Sequence, residues 1–145
     1  MWRLKMSDQF PDISSFNLTP QELNKVQYHR ANLFNPGRDE EGRPVTIYST
    51  GIQIPEGKYK GLFVSVPGYF DGKIVEDEDI LWDKWKKDIE KGFWPIYNSS
   101  EELNKRDQYV HQIMDLDVDN MMRKLQMMSP NGQIESLDYK DSPLK

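Results

Sequence analysis

Residues 62–75 read LFVSVPGYFDGKIV, and this stretch says most about the fold. Apolar side chains occupy every second position in its first half, which is the pattern of a strand with one buried face. Asp71-Gly72 then separates this run from a second apolar run. An Asp-Gly pair in this position is a strong hairpin signal, because both residues of the turn need a positive φ. We therefore predict two antiparallel strands, the first ending near Phe70 and the second beginning near Lys73.

A third strand is predicted upstream of the hairpin. Residues 45–54 are rich in β-branched side chains and end at the turn Pro55-Glu56-Gly57. Their apolar positions are odd-numbered in the first half and even-numbered in the second. A bulge at Thr50-Gly51 would bring both halves onto one face. The three strands together form a predicted antiparallel meander.

The first helix is marked at both ends. Thr19 and Glu22 have the spacing of a capping box, and Pro20 suits the first helical position between them. Asn35-Pro36-Gly37 ends the helix. Four apolar residues give the predicted buried stripe: Leu23, Val26, Leu33 and Phe34.

Two more helices follow the strands. The second is predicted over residues 79–91, up to a glycine that stops it. The third opens with another capping box, Ser99 and Glu102, and apolar residues recur every three or four positions as far as Met128. Polar residues weaken this helix in the middle, so a break near residues 115–120 is an open alternative.

These elements predict an α+β fold: an N-terminal helix, a three-stranded antiparallel meander, and two C-terminal helices packed on one face of the sheet. A chain of 145 residues is long enough for one domain with its own core. We assign residues 19–128 to that domain, residues 1–18 to an extended arm and residues 129–145 to a polar tail.

The composition excludes several kinds of function. The chain has no cysteine, which rules out disulfides, thiolate catalysis and cysteine zinc sites. Its formal net charge of -5 argues against broad binding to a phosphate backbone, so no nucleic-acid partner is predicted. No apolar run approaches the roughly 18 residues that cross a bilayer, so no membrane association is predicted. We expect a soluble, cytoplasmic protein.

Five of the seven methionines lie between Met114 and Met128. Methionine is over-used on surfaces that adapt to partners, whereas cores favour leucine and isoleucine. The stripe therefore indicates either a protein-contact surface or a plain core helix. The tryptophans of the second helix leave a similar choice between a stacking platform and core. The predicted partner-binding residues are Met114, Met121, Met122, Leu125, Met128, Trp82 and Trp85.

A group of acids lies beside the methionines. Asp115, Asp117 and Asp119 resemble the start of a calcium loop. Such a loop needs glycine at its sixth position and an acid at its twelfth, where this chain has Asn120 and Gln126. We therefore predict no calcium binding and no metal site.

His111 and Asp115 are four residues apart, so they share a helical face. They form either an ordinary surface hydrogen bond or, together with His29, part of a metal-assisted hydrolase. The chain has no nucleophile elbow and no phosphate-cradling glycine motif. No catalytic residue and no cofactor is therefore predicted.

The favoured function is that of a non-catalytic accessory, assembly or structural protein, acting through a protein partner or self-association. The alternative is a small metal-assisted hydrolase built on the two histidines and Asp115. A third class, a sugar- or nucleotide-binding module, requires Trp82, Trp85 or Trp94 to be exposed in a cleft.

Overall fold

The computed structural model describes residues 10–128, so the predicted tail and the first half of the predicted arm lie outside the described residues. The described part is α+β, with three helices and seven short strands. The helices are α1 (Pro20–Asn32), α2 (Glu78–Glu90) and α3 (Ser100–Met128). The strands are β1 (Gly37–Arg38), β2 (Pro44–Val45), β3 (Ser49–Gln53), β4 (Phe63–Pro67), β5 (Tyr69–Phe70), β6 (Lys73–Ile74) and β7 (Ile96–Tyr97). Within residues 10–128, no helix is both long and apolar enough to cross a membrane.

The predicted hairpin at Asp71-Gly72 is confirmed. Strands β5 and β6 pair antiparallel, with Phe70 opposite Lys73. Asp71 has a φ of 53° and Gly72 a φ of 74°, which is the left-handed conformation that both residues of this turn require.

The hairpin does not supply the third strand of the main sheet, so that part of the predicted meander is wrong. The strand order is β3-β4-β7, and both pairs are antiparallel. Strand β4 ends at Pro67, whose nitrogen carries no hydrogen. The chain then bends at Gly68, where a β-carbon would lie 2.7 Å from the carbonyl oxygen of Tyr48. The hairpin leaves the sheet at this bend, and β7 pairs with the other edge of β4.

The change of apolar parity arises at Tyr48, and the predicted bulge at Thr50-Gly51 is wrong. Strand β3 pairs with β4 residue by residue, without an extra residue on either strand. Tyr48, just before β3, has a φ of 50° and redirects the chain. Gly51 has a different role, since a β-carbon there would lie 2.8 Å from Leu103 of α3. Its missing side chain lets the helix pack closely on the strand.

The capping box of α1 is confirmed, with reciprocal bonds between Thr19 and Glu22. The buried face of α1 differs from the prediction, because Leu23 and Phe34 of the predicted stripe are exposed. Polar residues occupy interior positions instead: Glu22, Lys25, His29 and Arg30.

Helices α2 and α3 begin close to their predicted starts. Asp77 caps α2 by accepting two backbone N–H groups of the first turn. Glu102 donates its backbone N–H to the Ser99 side chain at the start of α3. The alternative of a break near the middle of α3 is wrong, because the helix is continuous. Asp117 does not compete with the backbone there, since its carboxylate binds Arg30.

Helices α2 and α3 lie on opposite faces of the sheet, not on one face as predicted. Val64 and Val66 of β4 belong to a core cluster with α2, whereas Ser65 between them contacts α1 and α3. A second core cluster lies between α1 and α3 and includes Phe10 and Ile13 of the N-terminal segment. The sheet is therefore the middle of three layers.

Candidate functional site

Lys25 is entirely buried on the inner face of α1. Its ammonium donates to Ser65 Oγ at 2.6 Å and to Asp107 Oδ1 at 2.5 Å. Ser49 Oγ lies 2.9 Å from Ser65 Oγ and donates to the second Asp107 oxygen at 3.3 Å. Burial lowers the pKa of Lys25, and the Asp107 carboxylate opposes that shift. These four side chains, the lysine cluster, tie α1, β3, β4 and α3 together.

Glu22 forms a second group about one turn earlier on α1. Arg106 of α3 donates to both of its oxygens, at 2.8 Å from Nε and 2.6 Å from Nη2. The Tyr97 hydroxyl donates to Glu22 Oε2 at 2.7 Å. Burial alone would raise the pKa of Glu22, but hydrogen bonds from Arg106, Thr19 and Tyr97 outweigh it and lower the pKa to about 2. Glu22 is therefore held as an anion that joins α1, α3 and β7.

A third group lies about one turn after Lys25 on α1. It consists of His29 and Arg30, which face Asp117 of α3. Arg30 donates to the two Asp117 oxygens at 2.8 Å and 2.9 Å. His29 Nδ1 lies 2.8 Å from the Thr46 hydroxyl, and His29 Nε2 lies 3.3 Å from Asp117 Oδ2. Asp117, the middle residue of the calcium-like run, is therefore entirely buried and paired.

In the alternative hydrolase site, His29 of α1 lies within electrostatic reach of both His111 and Asp115 of α3. His29 is entirely buried. Burial lowers the pKa of His111, and the charges of Lys25 and His29 lower it further, against Asp107. Asp115 is exposed as a residue, but partial desolvation of its carboxylate and the nearby Asp119 carboxylate raise its pKa, and His29 opposes that shift. Within residues 10–128, however, no three His, Cys, Asp or Glu side chains are placed to hold a metal ion.

The three aspartates of the calcium-like run point in different directions on a continuous helix. Asp117 faces the interior, while Asp115 and Asp119 are exposed. A calcium loop needs its ligands to converge on one ion. The absence of calcium binding stays a prediction.

A lysine amine beside a serine hydroxyl is an arrangement that nucleophilic catalysis uses. Here Lys25 and Ser65 are both entirely buried, so a substrate has no access to them in this conformation. The Asp107 carboxylate also favours the ammonium form of Lys25, against the lowering of its pKa by burial. The arrangement is therefore suited to holding the layers together.

The predicted contact stripe divides between core and surface. Met114, Met121 and Met122 are buried in the cluster of α1 and α3 and offer no surface in the isolated chain. Leu125 is partly exposed, and Met127 is almost fully exposed. The side chain of Met128 lies outside the described part of the chain.

The tryptophans divide in the same way. Trp85 is buried and donates from Nε1 to the Pro67 carbonyl at 2.9 Å. Trp94 is buried beside it, with ring centroids 5.3 Å apart. Trp82 is half-buried and lines a surface pocket between α2 and the loop after β3. Trp85 and Trp94 are core residues, and Trp82 is the tryptophan of α2 that faces a pocket.

The interior polar clusters were not predicted from the sequence. A signal was present, because the polar residues of α1 recur at the three- and four-residue spacing of one helical face. The predicted buried stripe of α1 instead contained Leu23 and Val26, and no interior role was predicted for its charged residues. Only their partners on α3, Arg106, Asp107 and Asp117, explain the burial.

Comparison with protein-family models, with curated proteins and with solved structures finds no match for this chain.

Proposed function

We propose that this chain is a non-catalytic accessory, assembly or structural protein, and that the C-terminal end of α3 is its protein-contact surface. The observation that carries the proposal is a gradient of exposure along one helical face. Met114, Val118, Met121 and Leu125 are spaced by four, three and four residues, so they form one stripe. Their exposed fractions are 0%, 2%, 7% and 37%.

The gradient means that the stripe continues past the elements that cover it. The core cluster of α1 and α3 reaches Met122, whereas residues 123–127 are all exposed. Leu125 therefore keeps the position of a core residue without full cover from the described part of the chain. Methionine neighbours suit such a surface because their side chains adapt to a partner's shape.

Covering Leu125 alone would not stabilise a complex enough, so the contact has to include more than one residue. Full burial of a leucine stabilises by about 1.5–3 kcal/mol, so covering the exposed third of Leu125 adds about 1 kcal/mol. A stable complex therefore has to cover the end of the helix as a whole, with Met127 among the residues at its edge.

The interior supports the non-catalytic assignment. Lys25, His29 and Asp117 are buried, and each has a partner within the chain. The rival hydrolase would need its side chains to line an open pocket, and His29 lies instead between Thr46 and Asp117.

The test is Leu125→Asp with Leu116→Asp as the matched control. Leu116 is 38% exposed, almost the same as Leu125, but it lies on the opposite face of α3. We expect both variants to fold, and only Leu125→Asp to lose self-association or partner capture, because a charge would enter the contact. Thermal denaturation and light scattering of the full chain, with crosslinking in native extract, measure these outcomes.

Two results would contradict the proposal. Unfolding of Leu125→Asp would place Leu125 in the core. A folded Leu125→Asp with unchanged mass and unchanged partner capture would show that this end of α3 makes no contact.

A further inference from the structure

Strand β3 lies at the edge of the main sheet. The strand order is β3-β4-β7, so within residues 10–128 strand β3 pairs with β4 only. The direction of hydrogen bonding alternates along a strand, and the bonds at its two ends decide which residues face β4. Ile54, just after β3, donates its N–H to the Leu62 carbonyl at 2.8 Å, and Tyr48, just before it, accepts from Gly68 at 2.9 Å. Even-numbered residues therefore face β4, and the backbone groups of three residues face outward: Ser49, Gly51 and Gln53.

This outward edge is open to solvent. Gly51 and Gln53 are exposed, and the exposure of a glycine is the exposure of its backbone. No hydrogen bond from the described part of the chain reaches the backbone N–H or carbonyl groups of Ser49, Gly51 and Gln53. Such a row of free donors and acceptors is the template on which another strand adds to a sheet.

The strand also lacks the features that keep an edge from pairing. Charged side chains and proline usually protect an exposed edge strand. Residues 45–54 contain neither, although 30% of the chain is charged. The bend at Tyr48 and the proline at position 55 mark the two ends of the open segment. The edge is therefore a short, uncharged strand that a second strand is able to approach.

We propose that β3 pairs with β3 of a second copy of this chain, antiparallel about a two-fold axis at Gly51. In this register Gly51 lies opposite its own copy, where no side chain obstructs the approach. Ser49 lies opposite the partner's Gln53 on the face of α3, and Thr50 lies opposite the partner's Ile52 on the face of α2. Self-pairing of a charged strand risks placing like charges opposite each other, and this strand has no charge.

The contact is small, so the association is weak. A stable interface buries about 1,200–2,000 Å², more than two strands of this length cover, and we expect a dissociation constant on the order of 1 mM. The edge of β3 shares no residue with the end of α3. The Leu125 comparison is therefore made below about 20 µM, where pairing through β3 is negligible at such an affinity.

The experiment measures amide hydrogen exchange by NMR in the full chain carrying Leu125→Asp, at about 50 µM and about 2 mM. We expect the amides of Ser49, Gly51 and Gln53 to exchange about twofold more slowly at the higher concentration, because the second copy accepts their N–H groups. The amides of Thr50 and Ile52 face β4 and should not change. Light scattering should show the mass rising towards that of a dimer over the same range.

A mixture of isotope-labelled and unlabelled chains tests the register. The α-hydrogens of two opposed residues lie closest in the pairs that exchange no hydrogen bond. We therefore expect an intermolecular nuclear Overhauser effect between the α-hydrogens of Thr50 and the partner's Ile52.

Variants at Gln53 test the backbone contact. Gln53→Pro removes one outward N–H and no bond to β4, and Gln53→Thr is the matched control that keeps the N–H. Both lose the bond from the Gln53 side chain to the Gly61 carbonyl. We expect Gln53→Pro to weaken association about tenfold or more, and Gln53→Thr to stay within about twofold of the Leu125→Asp parent.

The proposal is overturned if dilution changes neither the mass nor the three outward amides. Slow exchange of these amides at every concentration, with the mass of a monomer, would mean that another part of the same chain covers the edge, and would overturn it too. A mass that rises while these amides keep their exchange rates would place the contact elsewhere. If Gln53→Pro does not fold, the amide pattern and the intermolecular effect still decide the question.

Discussion

Strand β4 separates two interiors, one apolar and one that also contains buried charges. Towards α2, Val64 and Val66 meet an aliphatic and aromatic core that includes Leu81 and Trp85. Towards α1 and α3, Ser65 meets the lysine cluster. The first interior is held by contacts without direction, which tolerate small changes of volume. The second combines an apolar cluster with buried charged hydrogen bonds, in which each group depends on its partner.

The two sides of the sheet contribute differently to the fold. The apolar side adds stability, and the polar side also fixes how α1 and α3 are paired. The apolar layer would accept several arrangements of similar area. The polar layer fixes which residue of α1 lies beside which residue of α3, because a shift of one turn would leave Lys25 or Asp117 buried and unpaired. We expect the two layers to respond differently to substitution.

The largest effect is expected from Asp107→Ala. This change leaves the buried ammonium of Lys25 without its charge partner, which costs about 3–5 kcal/mol in the free energy of unfolding. Denaturant titration measures the loss. The double variant Lys25→Met with Asp107→Leu should recover at least half of it, and a loss below about 1 kcal/mol in Asp107→Ala would contradict the comparison.

Acid is expected to weaken the polar layer through Glu22. The pKa of Glu22 is lowered from 4.5 to about 2, so the stability it contributes is present above pH 4.5 and is lost as pH falls towards 2. The loss is at most about 3 kcal/mol, by the free energy that a pKa shift represents. Urea titrations of the wild type and Glu22→Gln between pH 5 and pH 2 test this, and parallel pH profiles would refute it.

A smaller effect is expected from Gly51→Ala, at the contact between the sheet and α3. The new β-carbon would lie 2.8 Å from Leu103 Cδ2, so the buried Leu103 side chain has to shift, at a cost of about 1–3 kcal/mol. Adding Leu103→Ala should remove this steric part of the cost. If Gly51→Ala is equally destabilising in both backgrounds, the close approach is not the reason for the glycine.

The smallest effect is expected in the apolar layer. Ile52 is buried in the cluster of α2, and Ile52→Val removes one methylene at a cost of about 0.5–1.5 kcal/mol. Thermal unfolding should show no change of this cost between pH 7 and pH 3. A cost as large as that of Asp107→Ala would remove the contrast between the layers.

Local signals predicted the parts of the fold that local residues determine. The turn at Asp71-Gly72 needs two positive φ angles, and the caps at Thr19 and Ser99 need a side chain within three residues. Each of these is set within four or five residues of sequence, so pattern alone was sufficient.

Pairings between distant residues were not predictable in the same way. Strand β7 is two residues long and pairs with β4 more than thirty positions away, so it carries no period of its own. Lys25 and Asp107 are 82 residues apart, and each alone resembles a solvated surface charge. For the candidate site, Leu125 was predicted as a contact residue, while the burial of Met114 depended on cover from α1 and the N-terminal segment.

The separation of these partners has a consequence for synthesis on the ribosome. Glu22, Lys25 and Arg30 leave the exit tunnel long before Arg106, Asp107 and Asp117, which follow 82–87 residues later. Until those partners are made, burial of α1 would leave its charged side chains unpaired. We therefore expect α1 to stay hydrated and that face of the sheet to stay uncovered. Helix α3, the last helix within residues 10–128, therefore completes this part of the fold, and a nascent chain that lacks it cannot bury the charges of α1.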